Sequence, residues 1–136
     1  MISALPARPI LVVEDDADIR DAFIEVLSAR GFEACGAGDG RAALERLRDG
    51  SPLPALILLD LLMPVMDGHE FRREQLADPR LATIPTIIVS ANAELAELAT
   101  ALGAPWLRKP VGVRGLLAAI NEHLARAPSH PAMNEP

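Results

Sequence analysis

Apolar residues gather in short unbroken runs along this chain, and most of these runs stop at a polar side chain. Ile10-Leu11-Val12-Val13 ends at Glu14-Asp15-Asp16, and Leu56-Ile57-Leu58-Leu59 ends at Asp60. Thr86-Ile87-Ile88-Val89 ends at Ser90, and the shorter Trp106-Leu107-Arg108 ends at Lys109. Consecutive large apolar residues read as strands buried on both faces, as in a parallel sheet. Phe32 to Ala37 is a weaker strand, and Pro85 is tolerated only at the start of its strand. Between these runs the pattern turns helical. Ile19, Ala22, Phe23, Val26 and Leu27 recur at helical spacing, with Gly31 as the stop. Ala42 to Arg48 turns Ala43, Leu44 and Leu47 inward, with Asp39 as its cap and Gly50 as its stop. His69 to Ala77 closes before Asp78-Pro79, Ala93 to Leu102 closes at Gly103, and Val113 to Arg126 turns Leu116, Leu117, Ile120 and Leu124 inward.

Five strands alternating with five helices predict an α/β fold, with helices on both faces of a parallel sheet and right-handed crossovers. All strands then point their carboxyl ends the same way, where open α/β sheets keep their ligand crevice. Glu14, Asp15, Asp60, Ser90 and Lys109 then share one rim if their strands are neighbours. The periodic part spans 8–126 and predicts one domain; 1–7 and 127–136 are expected to be flexible tails.

Composition narrows the picture. Half of the 136 residues are hydrophobic but only 3% are aromatic, so the core must come from Leu, Ile, Val and Ala. A net charge of −6 makes direct binding to nucleic acid or an anionic membrane a poor expectation. The single cysteine, Cys35, excludes an internal disulfide and suits a reducing cytoplasm. No run is long enough for a signal peptide or a membrane span.

Crowded carboxylates repel one another unless a proton, a cation or a lysine intervenes. A few hard oxygen ligands suit Mg²⁺, which takes one or two carboxylates together with phosphate oxygens and water. Lys109 can pair with a phosphoryl group as a point charge, and the Ser90 hydroxyl can donate to one of its oxygens. Together the rim suits formation of an aspartyl phosphate, an established type of covalent chemistry driven mainly by positioning and charge neutralisation.

Val12-Val13-Glu14-Asp15-Asp16, Leu59-Asp60-Leu61-Leu62-Met63-Pro64 with Asp67-Gly68, Ser90-Ala91 and Lys109-Pro110, in that order and each at a strand end, resemble a bacterial response-regulator receiver domain. The resemblance covers roughly 8–126 and implies a flavodoxin-like (βα)5 sheet of order 2-1-3-4-5. It implies that Asp60 is the phosphoacceptor, taking its phosphoryl group from a histidine kinase or histidine phosphotransfer protein. It further implies that Asp15, Asp60 and the backbone carbonyl of Leu62 ligate Mg²⁺, with Glu14 assisting through water. Lys109 would contact the phosphoryl group, Ser90 would move to bond it, and Trp106 would stand at the switch position usually held by Tyr or Phe. The Lys109-Pro110 bond is expected to be cis. With no further domain after 126 in the sequence, output is expected to run through another protein, with no direct nucleic-acid contact and no membrane insertion.

Departures from the family pattern carry their own expectations. Ser90 and Lys109 are 19 positions apart, a few fewer than usual, which shortens the fourth helix and its exit loop. Leu62 stands where a polar side chain often positions hydrolytic water, and Asn92 is the other such position; slow dephosphorylation follows. Asp16 and Asp67 read as cap and turn residues, Cys35 as a half-buried hydrophobe, and His69, His123 and His130 as surface or capping residues. A receiver-like interaction module that works without phosphorylation is the alternative, against which the intact acidic, serine and lysine set argues. A hydrolase with an aspartyl nucleophile would need a second acid where Leu62 stands. The expectation is a switch that assists only its own phosphorylation and dephosphorylation.

Overall fold

The computed structural model describes residues 8–101 and 103–126. The expected tails and His130 lie outside the described residues. The elements run β1 (Ile10–Val13), α1 (Ala17–Ala29), β2 (Ala34–Ala37), α2 (Gly40–Arg48), β3 (Leu56–Asp60), α3 (Gly68–Ala77), β4 (Thr86–Ser90), α4 (Ala93–Thr100), β5 (Trp106–Arg108) and α5 (Val113–Arg126). The strands form one sheet of order β2-β1-β3-β4-β5, every pair parallel.

Alternation along each strand divides the core in two. Leu11 and Val13 of β1, Ile57 and Leu59 of β3 and Ile88 of β4 face one side, against Ala43, Leu44 and Leu47 of α2 and Phe71 of α3. Ile10, Val12, Leu56, Leu58, Ile87 and Val89 face the other, against Leu27 of α1 and Leu116 and Ile120 of α5. Central strands buried on both faces explain their unbroken apolar runs.

Helix boundaries follow local chemistry. Asp16 caps α1, its Oδ1 accepting from the backbone N–H of Asp18 at 2.9 Å and of Ile19 at 3.1 Å. Asp39 caps α2, accepting from Ala42 N–H at 2.8 Å. Asp67 and Glu70 form a reciprocal capping box at the start of α3. Gly31, at φ +90°, ends α1. There the N–H of Phe32 reaches back to Leu27 O and that of Gly31 to Ser28 O, a Schellman closure that keeps Phe32 and Glu33 out of β2. β2 is therefore shorter than the expected Phe32–Ala37. α2 and α3 begin slightly earlier than their apolar patterns, because each cap lies just before its glycine. α4 ends at Thr100, short of the expected Leu102, and β5 ends at Arg108. Gly68 is required where it stands: a β-carbon there would lie 2.5 Å from the Asp60 carbonyl oxygen and 2.8 Å from Leu61 Cα.

Not all of the core is apolar. Gln75 of α3, fully buried, donates from Nε2 to Leu81 O, Ile84 O and Thr86 Oγ1, and its Oε1 accepts from Arg72 Nη1 at 2.9 Å. These bonds tie α3 to β4 and to the loop between them. His69 also departs from a surface role: it is half-buried at the start of α3, and its Nε2 is buried without a hydrogen-bond partner.

Candidate functional site

The carboxyl ends of β1 and β3 bring three acids together. One carboxylate oxygen from each of Glu14, Asp15 and Asp60 lies within 4.8 Å of the others. Register explains the meeting: Val13 pairs with Leu59, so Glu14 and Asp60 follow as neighbours at the top of adjacent strands. Glu14 is 3% exposed and Asp60 6%, whereas Asp15 faces solvent. Lys109 crosses the sheet to this pair, with Nζ 2.8 Å from Glu14 Oε1 and 3.4 Å from Asp60 Oδ1.

The electrostatics are opposed but balanced. Burial, followed by the repulsion of Glu14, pushes the Asp60 carboxyl up to about 6, although Lys109 pulls it down. Burial works against the Lys109 ammonium, but its hydrogen bond to Glu14 and the field of Asp60 outweigh it, so its pKa is raised. A buried carboxylate that sheds its proton reluctantly beside a solvent-open acid is a site short of positive charge. Three carboxylate oxygens at this spacing, one solvent-facing, fit a hard divalent cation that keeps part of its water shell.

The other polar rim residues are arranged differently. Ser90, 2% exposed, ends β4, but its Oγ accepts from Asn92 N–H at 3.1 Å and so bonds within its own loop. Asn92 Oδ1 accepts from Leu95 N–H at 2.9 Å, capping α4. Trp106 packs inward on the α2/α3 side of the sheet, and its Nε1 donates to the Ser90 carbonyl at 3.1 Å. The Arg108 guanidinium stacks outside it, 5.7 Å from the ring centroid. Lys109 N–H also donates to Ser90 O, and the Lys109–Pro110 bond is cis, as the resemblance implies. Leu62 is 61% exposed on the lip beside Asp60. Asp16 and Asp67 are caps, Cys35 is half-buried, and His123 approaches Ala119 O along its own helix; none of these joins the acidic group.

One residue at the site had no sequence signal of its own. Arg20 reads as a solvent-facing position of α1, yet its Nη1 donates to the Glu14 carbonyl at 2.8 Å. The indirect sign was Gly36 of β2, where a β-carbon would lie 2.8 Å from Arg20 Cδ.

Comparison with known proteins agrees with this fold. The response regulator receiver domain family matches residues 10–121. The alkaline phosphatase synthesis transcriptional regulatory protein SphR of Synechococcus elongatus is 39% identical over 96% of this chain and 54% of its own length. The DNA-binding response regulator MtrA of Mycolicibacterium paratuberculosis is 33% identical over 90% of this chain and 54% of its own. The chain thus spans about half the length of these curated relatives. A response regulator receiver protein of Pseudomonas putida superposes with a TM-score of 0.78 at 31% identity, covering 88% of this chain and 99% of that one. A CheY-like receiver domain of Methanospirillum hungatei JF-1 gives 0.79 at 26% identity, covering 91% and 98%. Among the described residues no helix is long and apolar enough to cross a membrane. With its 2-1-3-4-5 sheet and its acid–lysine rim, the chain belongs to the response regulator receiver domains of two-component signalling.

Proposed function

We propose that Asp60 accepts a phosphoryl group from a phosphohistidine of a histidine kinase or histidine phosphotransfer protein in the cytoplasm, and that the phosphorylated domain signals through a downstream protein. The observation that carries this reading is Lys109 Nζ set between Glu14 and Asp60 at the mouth of an otherwise acidic site. A carboxylate oxygen of Asp60 attacks phosphorus as the P–N bond breaks. The imidazole keeps the electron pair of that bond, and an acyl phosphate forms on Asp60. Lys109 exchanges its contact with Asp60 for the incoming phosphoryl oxygens. Ser90 Oγ gives up the Asn92 N–H and donates to the same group. Asp15, Asp60 and the Leu62 carbonyl, with Glu14 assisting, are the groups that would hold Mg²⁺, which supplies charge neutralisation for the phosphoryl oxygens.

A charge-assisted hydrogen bond contributes roughly 1.5–3 kcal/mol, whereas inverting a 1:99 equilibrium takes about 5.5 kcal/mol. The Ser90 bond therefore acts with Lys109 and the cation rather than alone. Trp106 would report that movement, a reading supported by its Nε1 bond to the Ser90 backbone carbonyl.

Incubation with Mg²⁺ and acetyl phosphate tests the reading by intact mass and Trp106 fluorescence. The expected result is Mg²⁺-dependent gain of one phosphoryl group, absent in Asp60→Asn. No gain at saturating donor overturns it in favour of an interaction module. Steady release of phosphate from unrelated phosphomonoesters overturns it in favour of a hydrolase.

A further inference from the structure

We infer that Arg20 is a positioning residue for the cation site: braced across the slot left by Gly36, it holds the peptide that joins Glu14 to Asp15. This rests on the Mg²⁺ site proposed above. Arg20 lies in the first turn of α1, where its N–H donates to Asp16 O at 2.9 Å. Its side chain lies across the edge strand β2. A β-carbon on Gly36 would lie 2.8 Å from Arg20 Cδ and 3.1 Å from Cγ, and one on Gly38 would lie 3.6 Å from Nη1. The guanidinium ends at the Glu14 carbonyl, 2.8 Å away.

The rest of Glu14 is also held. Its N–H donates to Ala37 O at 3.0 Å, its Oε1 takes Lys109, and its Oε2 accepts from Asp16 N–H at 3.2 Å. The peptide between Glu14 and Asp15 is planar, so fixing its oxygen fixes the direction in which the chain leaves for Asp15. Asp15 is the solvent-facing acid of the three, and Mg²⁺ tolerates little deviation from octahedral placement. Arg20 thus reaches the site through the backbone and without touching a carboxylate.

Charge and position predict opposite outcomes. A positive group one peptide away from the ligands repels a second cation, so if charge alone mattered, removing it would tighten Mg²⁺ binding. If position matters more, removing it loosens binding. Calorimetric titration of the metal-free protein with Mg²⁺ decides, alongside thermal unfolding without metal. Arg20→Met is expected to weaken Mg²⁺ affinity by about tenfold, the low end for losing an outer-shell partner. Arg20→Lys, which can still donate to one carbonyl, should recover part of that loss. Gly36→Ala keeps every charge but displaces the Arg20 stem and presses on Ile24 Cδ1, 3.2 Å from the added carbon; it should weaken Mg²⁺ several-fold. Equal or tighter binding in Arg20→Met overturns the inference. So does unaltered affinity in Gly36→Ala, which also decides the matter if Arg20→Met fails to fold. A wild-type protein that takes up no Mg²⁺ overturns the cation site itself, and this inference with it.

Discussion

On the β1–β3 side of the rim, backbone groups are tied down one by one. Glu14 N–H goes to Ala37 O, Glu14 O receives Arg20, Gly68 N–H goes to Leu61 O, and Gly40 N–H goes to Met66 O. On the β4–β5 side the backbone is also tied, with Ser90 O taking Trp106 Nε1 and Lys109 N–H, but the elements are shorter and the Ser90 hydroxyl bonds locally. Ser90 Oγ is satisfied by Asn92 two residues away, β5 has three residues, and α4 has eight. The acids therefore sit on a frame that holds its shape, while the hydroxyl and indole sit where a single bond can be exchanged for another. Regions that respond to ligands are drawn from the less strongly held parts of a fold, and that division is built into this rim.

The frame can be broken most directly at Gly68. Gly68→Ala drives a β-carbon into the Asp60 carbonyl and Leu61 Cα, backbone that cannot swing aside. A loss of about 2–3 kcal/mol in urea unfolding is expected, in the overpacking range. The matching lesion on the other side, Asn92→Ala, removes only the α4 cap and should cost about 1 kcal/mol. A larger loss for Asn92→Ala would reverse the comparison.

Asp60 provides the next test. Its folded pKa of about 6 lies above the ordinary 3.8. A raised carboxyl pKa contributes stability that is full below the unfolded value and is lost as pH rises through the folded one. Above pH ~7, then, the metal-free fold carries a penalty that Asp60→Asn removes. The shift alone sets a ceiling of roughly 3 kcal/mol, and screening at the open rim reduces the gain to about 1–2 kcal/mol. Thermal melts at pH 8 should favour Asp60→Asn, with the gap closing by pH 4 and narrowing when Mg²⁺ is added. A gap that does not change with pH would refute the electrostatic reading.

Smaller effects sharpen the picture at the lip. Leu62→Asn places a polar group beside the acyl phosphate. It should shorten the phosphoryl half-life by a few-fold, a barrier change below about 1.4 kcal/mol; an unchanged half-life removes the shielding role of Leu62. Val65 is 69% exposed at φ +67°, centred in a γ-turn closed by Met66 N–H to Pro64 O at 2.7 Å. Asn tolerates that region better than a β-branched residue, so Val65→Asn should stabilise the frame by up to about 1 kcal/mol.

The central strands and the acidic site were legible because burial on both faces of the sheet leaves unbroken apolar runs in β1, β3 and β4, each ending at a charged or hydroxyl residue. The order of strands came from the family resemblance, since periodicity does not encode which neighbours pair. Less visible were contacts made across the fold. Arg20 reads as surface until β2 is seen beneath it. Gln75 and Arg72 are polar residues of α3, yet both are buried; they bond each other, and Gln75 bonds Thr86 of β4. The state of Ser90 was also beyond the sequence: a strand-end hydroxyl looks the same whether it bonds its own loop or a ligand.

The Gln75 bonds have a mechanical consequence. α3 is fastened near both ends, at Gly68 to the chain just after Asp60 and at Gln75 to Thr86 of β4. A helix so fastened works as a strut: it resists sliding along the sheet and absorbs little displacement. On the function proposed above, load arriving at Asp60 would pass over α3 and bear on the shorter α4 and β5.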